Sequence, residues 1–163
     1  AQVVYYHPET LDEILQQISH LASLLGKHKE GKQLVQEQRQ KLREVIPLTN
    51  PPTVVYEVTA MPLMLAGREN IVRDIIEQAG GKLITPGKRK LVRFNAEEIL
   101  AQQPDVYIYQ VGPMNRNPTP PQERGPLARM NASFLKVDEL QYSRANTKSF
   151  DNVMELNRYF LKR

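Results

Sequence analysis

Residues His28 to Val45 limit how this chain can fold more than any other segment. Apolar side chains there are confined to Leu34, Val35, Leu42 and Val45, while Lys, Glu, Gln and Arg occupy most other positions. Glu37 stands four residues before Lys41, an order that supports a helix. A helix with so narrow an apolar stripe has little to bury, so it runs mostly in solvent and often bridges two bodies. At about 1.5 Å per residue it extends about 27 Å. Pro47 and the Asn50-Pro51-Pro52 run end it, because proline lacks the N–H that a continuing helix needs.

The segment before it is of another kind. Ala1 to Tyr6 reads as a strand. Thr10 and Glu13 have the spacing of a capping box. Leu11, Ile14, Leu15, Ile18, Leu21, Ala22 and Leu25 then recur at helical spacing, and Gly26 supplies the stop. This amphipathic helix needs a partner surface. The expectation is that it folds back onto the rest of the chain or associates with a second copy through Leu11–Leu25.

Beyond Pro52 strands and helices alternate. Thr53 to Val58, Lys82 to Ile84, Val106 to Gln110 and Phe134 to Val137 read as strands. Asn70 caps a helix closed by Gly80-Gly81, Asn95 opens a short one through Leu100, and Ser149 is expected to cap the last. This order predicts an α/β fold, a Rossmann-like, mainly parallel sheet flanked by helices and preceded by the long helix.

Composition removes several function classes. An apolar share of 40% is enough for a core, and the absence of cysteine excludes disulfides, thiolate metal sites and a cysteine nucleophile. The net charge of +4 is modest and not gathered into one run, so nucleic acid is not the expected partner. No apolar run reaches the length of about 18 residues that a membrane span needs. Neither a Gly-rich phosphate or dinucleotide fingerprint nor a G-x-S-x-G elbow occurs, and Glu97-Glu98 and Asp138-Glu139 are adjacent pairs, poorly disposed for acid–base work. The expectation is a protein that is not an enzyme. The histidines and tyrosines have no metal-ligand spacing, and no metal site is expected.

In an open parallel sheet, ligands lie beyond the carboxyl ends of the strands. That rule gathers the loops Ala60 to Arg68, Gly112 to Arg124 and Glu139 to Thr147. They carry Arg68, Arg116, Arg124 and Arg144, with Tyr142 as a further contact and Met61 and Met64 as padding. Guanidinium forks suit carboxylate and catecholate-like oxygens, so these residues are expected to form a rim for an anionic ligand.

The order of features then becomes familiar. Leu24-Leu25-Gly26-Lys27 and the long polar helix precede Gly67-Arg68, the run Ile75-Ile76-Glu77-Gln78-Ala79-Gly80-Gly81, Phe94-Asn95-Ala96-Glu97-Glu98-Ile99-Leu100 and Gln103-Pro104-Asp105-Val106. Over essentially its whole length the chain resembles the helical-backbone (class III) substrate-binding proteins, which serve ABC importers of iron–siderophores, haem and vitamin B12. The resemblance implies two α/β lobes joined by one rigid helix, with residues 1–27 the remnant of the N-terminal lobe, 28–46 the connecting helix and 53–163 the C-terminal lobe. Most of the first lobe is then absent from these 163 residues. It also implies a periplasmic protein with no resident cofactor, whose ligand is a metal chelate, with a ferric siderophore favoured by the arginines. Glu97 matches the family's carboxylate that docks on the permease. The alternatives are a nucleotide- or sugar-phosphate-binding enzyme domain, or a protein-interaction domain docking through the Leu11–Leu25 face.

Overall fold

The computed structural model describes residues 3–163. Of the strand expected over Ala1 to Tyr6, Ala1 and Gln2 lie outside the described residues, and Val3 to Glu9 pairs with no described strand. Helix α1 (Leu11–Leu24) begins at Thr10, whose Oγ1 accepts from the Glu13 amide at 3.2 Å. Glu13 does not close the expected box on Thr10, because its carboxylate accepts from the Glu9 amide at 2.6 Å instead. Gly26 takes φ +65°, the left-handed conformation that ends the helix.

Helix α2 (His28–Arg43) is unbroken, and most of its residues are exposed. It lies on α1 where two small residues meet: a Cβ at Gly31 would overlap that of Ala22. Its far end rests on the last helix through Lys41 Nζ and Asp151 Oδ1, 2.5 Å apart. Val35, Leu42 and Val45, three residues of the predicted stripe, pack against the core.

Among the described residues the sheet has six strands: β1 (Thr53–Ala60), β2 (Leu63–Ala66), β3 (Lys82–Leu83), β4 (Leu91–Arg93), β5 (Val106–Val111) and β6 (Ser133–Asp138). Five run in the order β4-β2-β1-β5-β6, and β3 pairs with the start of β1. β1, β3, β5 and β6 are parallel, while at one edge β2 pairs antiparallel with β1 and β4 pairs antiparallel with β2. The helices are α3 (Ile71–Gln78), α4 (Ala96–Gln102), α5 (Glu139–Tyr142) and α6 (Lys148–Leu161).

Period-two alternation decides what covers each face. Val54, Tyr56 and Val58 with Val106 and Ile108 point to one side, into a core shared with α1, α3, α5 and α6. Val55, Tyr107 and Tyr109 point to the other, toward Ile99 of α4 and Leu127 and Met130. Leu127 lies in the second of two 3-10 turns, Pro121–Glu123 and Gly125–Arg129, so the proline-rich connection is itself a cover of the sheet. Leu11, Ile14 and Leu15 of α1 join the first core. The amphipathic helix thus folds back, leaving Leu21, Leu24 and Leu25 exposed at its end.

Three local expectations are corrected. Ala60 to Arg68 is not simply a loop, since β1 turns directly into β2. The start of the third loop, from Glu139, is the short helix α5, with Asp138 accepting from the Gln141 amide at 3.0 Å. Ser149 is buried within α6, and the exposed start of that helix is met by Asn146, whose Oδ1 accepts from the Lys148 amide at 2.7 Å. Further along α6, Asn157 accepts from the Ile46 amide at 3.0 Å and donates to the carbonyls of Ile46 and Ala79 at 2.8 and 3.1 Å. One side chain therefore ties the exit of α2 and the end of α3 to α6.

Candidate functional site

β1, β5 and β6 release their chains at the same sheet edge, at Ala60, Val111 and Asp138. Buried polar side chains knit the three departures together. Asn115 accepts from the Ala60 amide at 3.0 Å and donates to the Gln110 carbonyl at 2.7 Å. Glu139 accepts from the Met114 amide at 2.8 Å. Gly112 is needed for this approach, because a Cβ there would run into the Glu139 side chain. Gln110 Oε1 accepts from Tyr56 at 3.0 Å and from Ser143 at 2.5 Å. With every connection anchored this way, loops of otherwise irregular structure acquire a fixed shape.

The charged part of this network centres on Glu57, fully buried in β1. Arg124 Nη2 donates to its two carboxylate oxygens at 3.0 and 2.8 Å, and the Tyr107 hydroxyl donates to Oε2 at 2.5 Å. Burial, and next the charge of Glu57, push the Tyr107 phenol well above its ordinary range, so it stays protonated and donates. A lone carboxylate at this depth would be costly. The guanidinium and the phenol supply the hydrogen bonds that compensate its burial.

Arg124 also lines a cleft of about 270 Å³ with Arg116, Met61, Met114 and Asn117. Two of the expected rim arginines therefore converge, but they differ. Arg116 is exposed with no carboxylate partner among the described residues, whereas Arg124 already serves Glu57. Arg144 lines a neighbouring cleft of about 290 Å³ with Lys90, Glu69, Ser143, Tyr6 and His7. Arg68 lines neither. It follows the antiparallel β2, which carries the chain back from the carboxyl edge, and its amide donates to the Gly87 carbonyl at 3.3 Å.

Tyr142 is corrected outright as an accessible contact. It is 1% exposed, and its ring lies 6.5 Å from that of Tyr56 inside the core. Burial, and next the nearby Glu155, push its phenol above the usual range, so it offers neither access nor a phenolate. Met64 is half-buried on β2, while Met61 projects at 93% exposure. Glu97 stands exposed in the first turn of α4, where Asn95 and Glu98 complete a capping box at 2.8 and 3.0 Å and leave Glu97 unengaged by it. A larger depression of about 440 Å³ lies along α1 by Tyr5, Tyr6 and His20. It is built from the N-terminal segment and α1 alone, whereas the second cleft joins Tyr6 and His7 to Ser143 and Arg144 beyond β6, so geometry favours the smaller clefts.

Sequence reasoning passed over Glu57, Lys90, Asn115 and Ser143. Glu57 carried a signal, as the single acid within the apolar run Val54 to Val58. The others act through folds of the chain that no local pattern announces.

Comparison with known proteins agrees with this geometry. A family model described as periplasmic binding protein matches residues 1–123. A periplasmic haem-binding protein, RhuT, from Roseiflexus sp. RS-1 shares 21% identity at a TM-score of 0.74, over 95% of this chain and 64% of its own. An ABC transporter substrate-binding protein from Listeria monocytogenes shares 14% at a TM-score of 0.79, over 92% of this chain and 64% of its own. A possible iron-binding (periplasmic solute-binding) protein from Staphylococcus epidermidis shares 20% at a TM-score of 0.80, over 98% of this chain and 66% of its own. At these identities the likeness is one of fold, and the chain spans less than two thirds of the length of each. No curated protein matches the chain by sequence. The family match covers most of the chain, and the strand order, the long helix and the strand-end clefts accord with it: the chain belongs to the periplasmic binding protein family.

Proposed function

We propose that this chain is the second lobe and connecting helix of the substrate-binding component of an ABC importer, acting in the periplasm on an anionic metal chelate. Residues 53–163 form the lobe, 28–46 the connection, and 1–27 lead in from the first lobe. The observation that carries the reading is the convergence of Arg116 and Arg124 in one cleft, beside a second holding Arg144 and Lys90, at the carboxyl edge of β1, β5 and β6. Unpaired guanidinium there gives bidentate contacts to carboxylate or catecholate oxygens. Met61 and Met114 offer an apolar, adaptable surface to the body of the chelate. The metal arrives within the ligand, and no resident cofactor takes part.

In this arrangement Arg116 contacts the ligand, while Arg124, held by Glu57, shapes the cleft around it. Capture occurs between rigid lobes with a small closure. Delivery uses Glu97, whose exposed carboxylate meets cationic groups of the permease.

The test is titration of a protein carrying both lobes with ferric siderophores, haem and cobalamin, followed by the colour change of the chelate. A ferric siderophore is expected to bind most tightly, and R116E to weaken it by about tenfold or more, as loss of a charge-assisted contact implies. The Roseiflexus neighbour is a haem-binding protein; haem carries carboxylates that the same arginines suit, and a preference for it would move the ligand class within the same reading. Binding of none of the three, or an R116E variant that binds every chelate like the parent, overturns it.

A further inference from the structure

The connection from β3 to β4 places Lys88, Arg89 and Lys90 in succession, all exposed. Its backbone is clamped to the segment after β2. The amides of Gly67, Arg68 and Glu69 donate to the carbonyls of Lys90, Gly87 and Lys88 at 3.1, 3.3 and 3.1 Å. The clamp is close enough that a Cβ at Gly67 would collide with the Arg89 carbonyl. Arg68 is thereby laid beside the run, and Arg93 extends it along the edge strand β4. None of the five cations takes part in an ion pair among the described residues. Glu69 is the one acid in the two clamped segments.

Charges on an edge strand commonly guard it against pairing with another chain. Arg93 supplies that guard on β4 itself. Lys88 and Arg89 precede the strand and lie outside its ladder, so the guard does not account for them. β4 also leads directly, through Phe94 and Asn95, into α4 and its exposed Glu97.

We propose that this clamped connection is a membrane-contact surface that recognises anionic phospholipid headgroups. Each cation near an anionic surface adds to the attraction, which fades within a Debye length. A backbone already fixed by three hydrogen bonds presents the charges with little loss of chain entropy. The apolar residues that follow it in β4, Leu91 and Val92, are half-buried. The contact is therefore electrostatic and reversible, holding the protein near the bilayer without inserting into it. Lys90 also lines the second cleft, so the variants below leave it unchanged and test the other cations of the surface whichever ligand the clefts take.

Sedimentation of the 163-residue chain with vesicles of phosphatidylglycerol and, separately, of phosphatidylcholine tests this. Binding is expected to phosphatidylglycerol alone and to fall as salt rises. K88E/R89E/R93E is expected to reduce it by about tenfold or more, while K29E/K32E/R39E on α2, an equal change in net charge, alters it by no more than about twofold. K88Q/R89Q, which removes charge without reversing it, gives a smaller loss in the same direction and decides the matter if the triple variant does not fold. Failure to bind phosphatidylglycerol, equal binding to both vesicles, or equal losses in the K88E/R89E/R93E and α2 variants overturns the proposal.

Discussion

Arg124, on the proline-rich connection, and Glu57, in the middle of β1, are joined by one guanidinium nitrogen that reaches both carboxylate oxygens. The carboxylate is fully buried while the arginine keeps 18% of its side chain exposed, so the pair fastens a surface segment to the interior. Removing the arginine alone leaves the buried carboxyl group with a phenol and a distant amide. R124M is expected to cost about 3 kcal/mol in urea unfolding, in line with other broken buried pairs, and E57Q/R124M to recover part of that loss. An R124M chain as stable as the parent would show the pair to be idle.

Gly31 is the contact point of α1 and α2, opposite Ala22. Alanine ordinarily favours a helix over glycine by about 1 kcal/mol. Here the added methyl has no room, and overpacking costs of about 1–3 kcal/mol outweigh the gain. G31A is expected to lower the melting temperature by several degrees, and a rise instead would mean that the two helices separate freely.

Asp105 accepts from the Thr53 hydroxyl and amide at 2.7 and 2.8 Å, and these bonds hold its carboxyl below the usual range. A depressed folded value means that the contribution to stability is present in full above the unfolded value, about 3.9. It is lost as the pH falls through the folded value. D105N is therefore expected to be less stable than the parent at neutral pH, with the gap narrowing below about pH 4. Parallel unfolding curves across that window would refute the assignment.

Glu97 bears no load in the fold: it is exposed, and the capping box of α4 is completed by its neighbour Glu98. E97A is expected to leave thermal stability and chelate affinity unchanged while slowing uptake through the assembled importer by about tenfold, the effect of losing a docking charge. Unchanged uptake would remove Glu97 from the docking surface.

What could be read from residues alone depended on how local the cause is. Asn70 and Asn95 mark helix starts because a cap needs only the next three residues, and α3 and α4 begin just after them. β2 and β4 went unread because strands of four and three residues exist only through pairing with distant segments. Arg116 and Arg124 were brought to one cleft by the rule of strand carboxyl ends. Tyr142 was misplaced by the same rule, since the turn of α5 that directs it inward is set by Asp138 and by the aromatic core beneath. Glu57 stood in plain sight as an acid among valines, and its role emerged only with the arginine found 67 residues later.

The clasp made by Asn157 has a mechanical consequence. Because it grips Ile46 through both its N–H and its C=O while also holding Ala79, α2 has no swivel at its foot. Any tilt of that rod loads these three bonds, while the contact of Gly31 with Ala22 holds its other end against α1.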